Sequence, residues 1–144
     1  MIIGDFMEQL NRSELRKKIM TILYQISIYE KGEINYNIDE VIKEVSTIDN
    51  EFIKNIVYGV ITYKDEIDSL ANNYLKDWSI DRLGNTDKAI LRLSIYELLY
   101  TDTPPIVSIN EAIELAKDYS DDSVRKMINA TLDTIYHEKV ENGK

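Results

Sequence analysis

Apolar residues return every three or four positions through almost the whole chain, and this periodicity restricts the fold more than any other feature. Leu15, Ile19, Ile22, Ile26 and Tyr29 fall on one face of a helix. Val41, Ile42 and Val45 mark a short second helix. Phe52, Ile53, Ile56, Val57, Val60 and Ile61 mark a third, with Asp49 or Asn50 as its N-cap. Ile67, Leu70, Ala71, Tyr74 and Trp78 continue the pattern. Ile90, Leu91, Ile95, Leu98 and Leu99 define a strongly apolar helix capped by Thr86. Ile109, Ala112, Ile113 and Ala116 define another. Val124, Met127, Ile128, Leu132 and Ile135 define the last, after Asp121 or Asp122. Isoleucine favours strands by propensity alone, yet no segment alternates strictly. The spacing therefore predicts an all-α chain of about seven helices.

The interruptions organise these helices. Lys31 to Asn37 is polar and contains Gly32, and Ile80 to Asn85 contains Gly84. Pro104-Pro105 ends a helix, because proline lacks the amide and restricts the residue before it. The expected architecture is a single domain, 1–144, of two small packed helical bundles, about 1–78 and 79–144. A chain of 144 residues can bury a core without covalent staples. The polar end, Glu138 to Lys144, reads as frayed.

Composition removes several chemistries. With no cysteine there is no disulfide framework, thiolate zinc site or cysteine nucleophile. With one histidine, a serine-type triad would have to use His137, and a multi-histidine metal site is excluded. His137 lies near a helix C-terminus, where a cation favours the dipole. No phosphate-binding glycine loop, nucleophile elbow or H-E-x-x-H pattern occurs. Asp39-Glu40, Asp65-Glu66 and Asp121-Asp122 are sequence neighbours, which diverge on a helix and read as caps and solvated faces. The stretch Ala89 to Tyr100 contains Arg92 and Glu97 and is too short to span a bilayer. Met1 to Phe6 carries an acid where a secretory leader needs bases, so the expectation is a cytoplasmic protein with no membrane partner.

The formal charge is −9, which repels nucleic acid on average. Any such partner must meet a local basic patch. Arg12, Arg16, Lys17 and Lys18 form one, opposed by Glu14, and are read as opening the first amphipathic helix. Bases at a helix N-terminus oppose the dipole unless an anion such as phosphate binds nearby. The alternative is an ordinary solvated face. Arg125 and Lys126 begin the last helix, and Lys126 shares a face with Asn129. Lysine binds phosphate and asparagine reads base edges.

Two stretches carry a resemblance. The first is Trp78-Ser79-Ile80-Asp81-Arg82-Leu83 followed by Thr86-Asp87-Lys88-Ala89-Ile90-Leu91-Arg92-Leu93-Ser94-Ile95-Tyr96-Glu97-Leu98-Leu99. The second is Pro104-Pro105-Ile106-Val107-Ser108-Ile109-Asn110-Glu111-Ala112-Ile113-Glu114-Leu115-Ala116-Lys117. In tandem they resemble the NusB family of bacterial transcription antitermination factors. The first half matches more loosely, through Arg12, Arg16, Leu23-Tyr24-Gln25 and Gly59-Val60.

The resemblance implies an all-α fold without catalysis or cofactor. It implies binding to boxA-type RNA of nascent ribosomal transcripts, together with the small-subunit ribosomal protein that acts as NusE, within the transcription elongation complex. Arg12 and Arg16 fit the family's arginine-rich RNA-binding motif, while Ser13 and Glu14 stand where the family is usually basic. Lys17 and Lys18 are inferred to compensate. Tyr24 matches a tyrosine near the RNA face, the alternative being core packing. Arg92 either contacts phosphate or pairs internally with an acid such as Asp87. Lys126 and Asn129 match the last-helix motif, in which Met127 replaces an aromatic and Ala130 a glycine. Asp87 matches an acid implicated in the ribosomal-protein contact, and an acid suits a basic partner. The competing reading is a helical protein-binding adaptor with weak or no RNA affinity. The apolar edge from Tyr100 to Ile106 is either a self-contact that would form a homodimer or core.

Overall fold

A computed structural model describes the backbone of residues 2–141 and the side chains of residues 11–141. Met1 and the end of the polar tail, 142–144, lie outside the described residues. The described chain is all-α: α1 (Ile2–Lys31), α2 (Ile38–Val45), α3 (Glu51–Thr62), α4 (Lys64–Tyr74), α5 (Asn85–Tyr100), α6 (Pro105–Tyr119) and α7 (Asp122–Ile135). A 3₁₀ turn, Ile80–Arg82, precedes α5, and a π-helical turn, Tyr136–Glu141, extends α7.

Side-chain caps set several helix starts. Asn37, Asn50 and Asp121 each accept a backbone amide three residues on, from Glu40, Ile53 and Val124, at 3.0 Å. Each satisfies a donor that the first helical turn leaves unpaired. Asn50→Ala is expected to destabilise the protein by about 1 kcal/mol, measured by urea unfolding. Pro105 opens α6, where its missing amide costs nothing.

Three expected boundaries are corrected. α1 begins at Ile2, so the basic cluster from Arg12 to Lys18 lies several turns inside it rather than at its start. The dipole argument for an anion there falls, because the terminal field fades beyond the first turn. α5 begins at Asn85 with Gly84 as N-cap, and Thr86 is already helical. α4 stops at Tyr74, and Asp77 turns the chain with φ 61°. Trp78 therefore leaves the helical face and stands 51% exposed.

α5 is the central element, packed against α1, α3, α4, α6 and α7. Ile90, Leu91, Leu93 and Ile95 are fully buried, which is why this helix is apolar nearly all round. Arg16 meets Glu97 and Ser27 meets Arg92, so α1 and α5 run antiparallel. The buried apolar side chains of α1 to α7 join one continuous core. At the edge after α5, Tyr100 and Ile106 are exposed.

Candidate nucleic-acid interface

The four clustered bases of α1 point in different directions, because neighbours on a helix are about 100° apart. Arg16 turns inward and is only 1% exposed. Its Nε and Nη2 donate to Oε1 and Oε2 of Glu97 at 2.6 and 2.8 Å. Thr103 adds a hydroxyl to Glu97 Oε2 at 3.0 Å. Nη1 lies 3.4 Å from Glu111 Oε1, a carboxylate oxygen that also accepts from Ser13. The expected phosphate contact by Arg16 is thus corrected: a bidentate pair inside the core consumes its fork and its charge.

Arg92 is corrected in the same way. It is buried, and Nε and Nη2 donate to both oxygens of Asp68 on α4, at 2.8 and 2.9 Å. The internal acid is Asp68 and not Asp87. Asp87 is half-buried and accepts the Ser120 hydroxyl, which ties the start of α5 to the end of α6.

The remaining candidates lie toward solvent. Arg12 is exposed, with its guanidinium 4.8 Å from the centre of the Phe52 ring. Lys18 and Tyr24 are exposed farther along α1. Tyr24 is therefore a surface ring rather than core. Lys17 is half-buried and 3.2 Å from Glu14, whose hydrogen bond and charge raise the lysine pKa above its ordinary value. On α7, Ile128, Leu132 and Ile135 face the core, and Lys126 and Asn129 are exposed. Arg125 pairs with Asp122 at 3.2 Å.

Sequence reasoning missed an exposed aromatic beside α7. Trp78 shares a groove with Tyr74, Val124, Met127 and Ala130. Its helical spacing after Tyr74 disguised it as core, and the Asp77 turn is the signal that separates it. An exposed ring thus stands beside Met127. His137 lies beyond α7 between Asp133 and Glu141, and the Glu141 hydrogen bond raises its pKa above the usual value. Among the described residues no cluster of three or more His, Asp or Glu is arranged to hold a metal ion, and no helix is long and apolar enough to cross a membrane.

An all-α body built around an apolar central helix, with basic side chains exposed on α1 and α7 and the rings of Tyr24 and Trp78 at the surface, is compatible with a nucleic-acid-binding module. The model of the NusB family matches residues 13–137, and the chain belongs to that family. It is 37% identical over 127 residues to the transcription antitermination protein NusB of Bacillus subtilis, covering 88% of this chain and 95% of that one. The NusB of Staphylococcus haemolyticus is 40% identical over 127 residues, covering 88% and 99%. Among solved structures, T. maritima NusB superposes with a TM-score of 0.78 at 32% identity, covering 88% of this chain and 91% of that one. A chain from the structure of antitermination factors NusB and NusE in complex with dsRNA superposes with 0.74 at 29% identity, covering 88% and 96%.

Proposed function

We propose that this chain is a transcription antitermination factor that binds boxA-type RNA jointly with the ribosomal protein NusE and joins the elongation complex. The observation that carries the reading is the match over nearly the whole chain to NusB, including the likeness to a NusB solved with NusE and RNA. The chain acts by binding rather than by catalysis, in the cytoplasm where transcription takes place. Arg12, Lys17, Lys18 and Lys126 supply phosphate contacts, and Asn129 and Tyr24 meet bases. Trp78 offers a further ring on which a base can stack. Asp87 faces the basic ribosomal protein. The net charge of −9 favours that partner and weakens RNA binding by this chain alone.

The test is titration of a labelled boxA-type RNA at several salt concentrations, with and without NusE. Affinity should rise when NusE is added. Four phosphate contacts give a log–log salt slope of about −3 to −4. Lys18→Ala should weaken binding and flatten that slope by about one. Capture of NusE with no RNA binding in any arm would establish the adaptor reading instead.

A further inference from the structure

A polar pocket of about 330 Å³ opens where the end of α1 meets the starts of α4 and α5, with Lys31, Lys64, Lys88 and Arg92 among its walls. Two of these cations are already matched. Arg92 pairs with Asp68, and Lys64 lies 3.4 Å from Glu30. Lys88 is different. It is 4% exposed, and among the described residues its ammonium has no carboxylate within ion-pair distance. Lys31, a like charge, lines the same pocket. Burial first, then Lys31 and Arg92, hold the Lys88 pKa below its ordinary value, with Asp81 opposing them. Glu30, the other acid of the pocket, is engaged by Lys64 and by the Tyr36 hydroxyl. Ser27 also lines the pocket. Its oxygen accepts from Arg92 at 3.5 Å, which leaves its hydroxyl proton to donate.

Two ammonium groups that line one open pocket repel each other, and an anion held between them relieves that repulsion. We propose that this pocket binds a phosphate group, with Lys31 and Lys88 as its charged donors and the Ser27 hydroxyl as a third. Two positive charges and convergent donors match the charge and acceptors of a phosphate. The phosphate comes either from a free phosphate or from the backbone of bound RNA. The RNA source rests on the function proposed above, and the free source does not.

The experiment compares thermal unfolding of the wild type, Lys88→Met, Lys31→Met and the control Lys54→Met in inorganic phosphate and in chloride at equal ionic strength. Lys54 pairs with Asp49 away from this pocket. Phosphate should stabilise the wild type and the control in proportion to its concentration over the dissociation constant. Lys88→Met and Lys31→Met should bind phosphate about tenfold more weakly or worse. Lys31 is exposed, so its variant reports on the site even if Lys88→Met fails to fold. Equal responses in all four proteins, or no phosphate-specific response in the wild type, would overturn the site. Competition of phosphate against labelled RNA separates the sources. Displacement that Lys88→Met abolishes identifies the RNA backbone. Unchanged RNA affinity beside lost phosphate binding identifies a free phosphate. If the chain binds no RNA at all, the thermal arm still decides the site.

Discussion

Arg16→Ala is expected to destabilise the protein by about 3–5 kcal/mol, because it strands a buried carboxylate. Glu97 lies inside the apolar run of α5 and is itself 1% exposed. Once Arg16 is gone, Glu97 keeps, among the described residues, only the Thr103 hydroxyl as a side-chain partner. Against a typical domain stability of about 5–15 kcal/mol, that loss is a large share of the total. Glu97→Ala should act similarly, since it leaves the guanidinium buried with Glu111 at 3.4 Å as its remaining acid. Replacing both partners together, Arg16→Met with Glu97→Met, should recover much of the loss, because apolar groups need no compensating charge. Urea unfolding of the two single variants and the double variant measures the coupling. The same result assigns any RNA-binding defect. If Arg16 acts through the core, Arg16→Ala lowers the folded fraction, and the folded protein keeps its salt slope. A variant that stays within about 1 kcal/mol of wild type yet flattens the slope would place this guanidinium on RNA.

This pair also marks where the sequence stops being legible. Local patterns carried the helices: the apolar spacing located seven of them, and Asn50 and Asp121 are caps of the kind that spacing called for. Direction around the helix was legible only where apolar residues defined it. Arg12, Arg16, Lys17 and Lys18 look alike in sequence, yet Arg16 is one turn before Met20 and three residues before Ile19, both buried. That register places Arg16 on the core face. Its partner lies 81 residues away, and only the presence of Glu97 amid Ile95, Leu98 and Leu99 hints that a cation is needed there. Arg92 offered the same hint, but the nearby Asp87 was the obvious acid and the distant Asp68 the real one. The start of α1 is hidden because the regular apolar repeat begins only at Leu15. Lys88 is not legible either, since a basic residue in the first turns of a helix is ordinary until its burial is known.

Gly59→Ala is expected to destabilise the protein, although alanine is the better helix former by about 1 kcal/mol. Gly59 is buried in α3 where that helix packs on α5. A Cβ at this position would stand 2.1 Å from Cζ of Tyr96 and 2.4 Å from its Cε1. The ring has little freedom to retreat. It stacks with Tyr63 and Tyr100 at centroid distances of 6.5 and 5.3 Å, and those two rings stack on each other at 4.6 Å. Tyr100 is held in turn by its hydroxyl, which donates to Glu66 at 2.9 Å. Burial and that bond push the Tyr100 phenol up to about 12. Adding the methyl group therefore means displacing a three-ring stack or separating α3 from α5. Overpacking of this kind costs about 1–3 kcal/mol. Tyr96→Ala removes the obstacle, so in that background Gly59→Ala should be neutral or stabilising by up to about 1 kcal/mol. Thermal or urea unfolding of the two single variants and the double variant yields the coupling directly. A Gly59→Ala protein more stable than wild type would mean that α3 and α5 do not approach this closely, and that this glycine is not held by Tyr96.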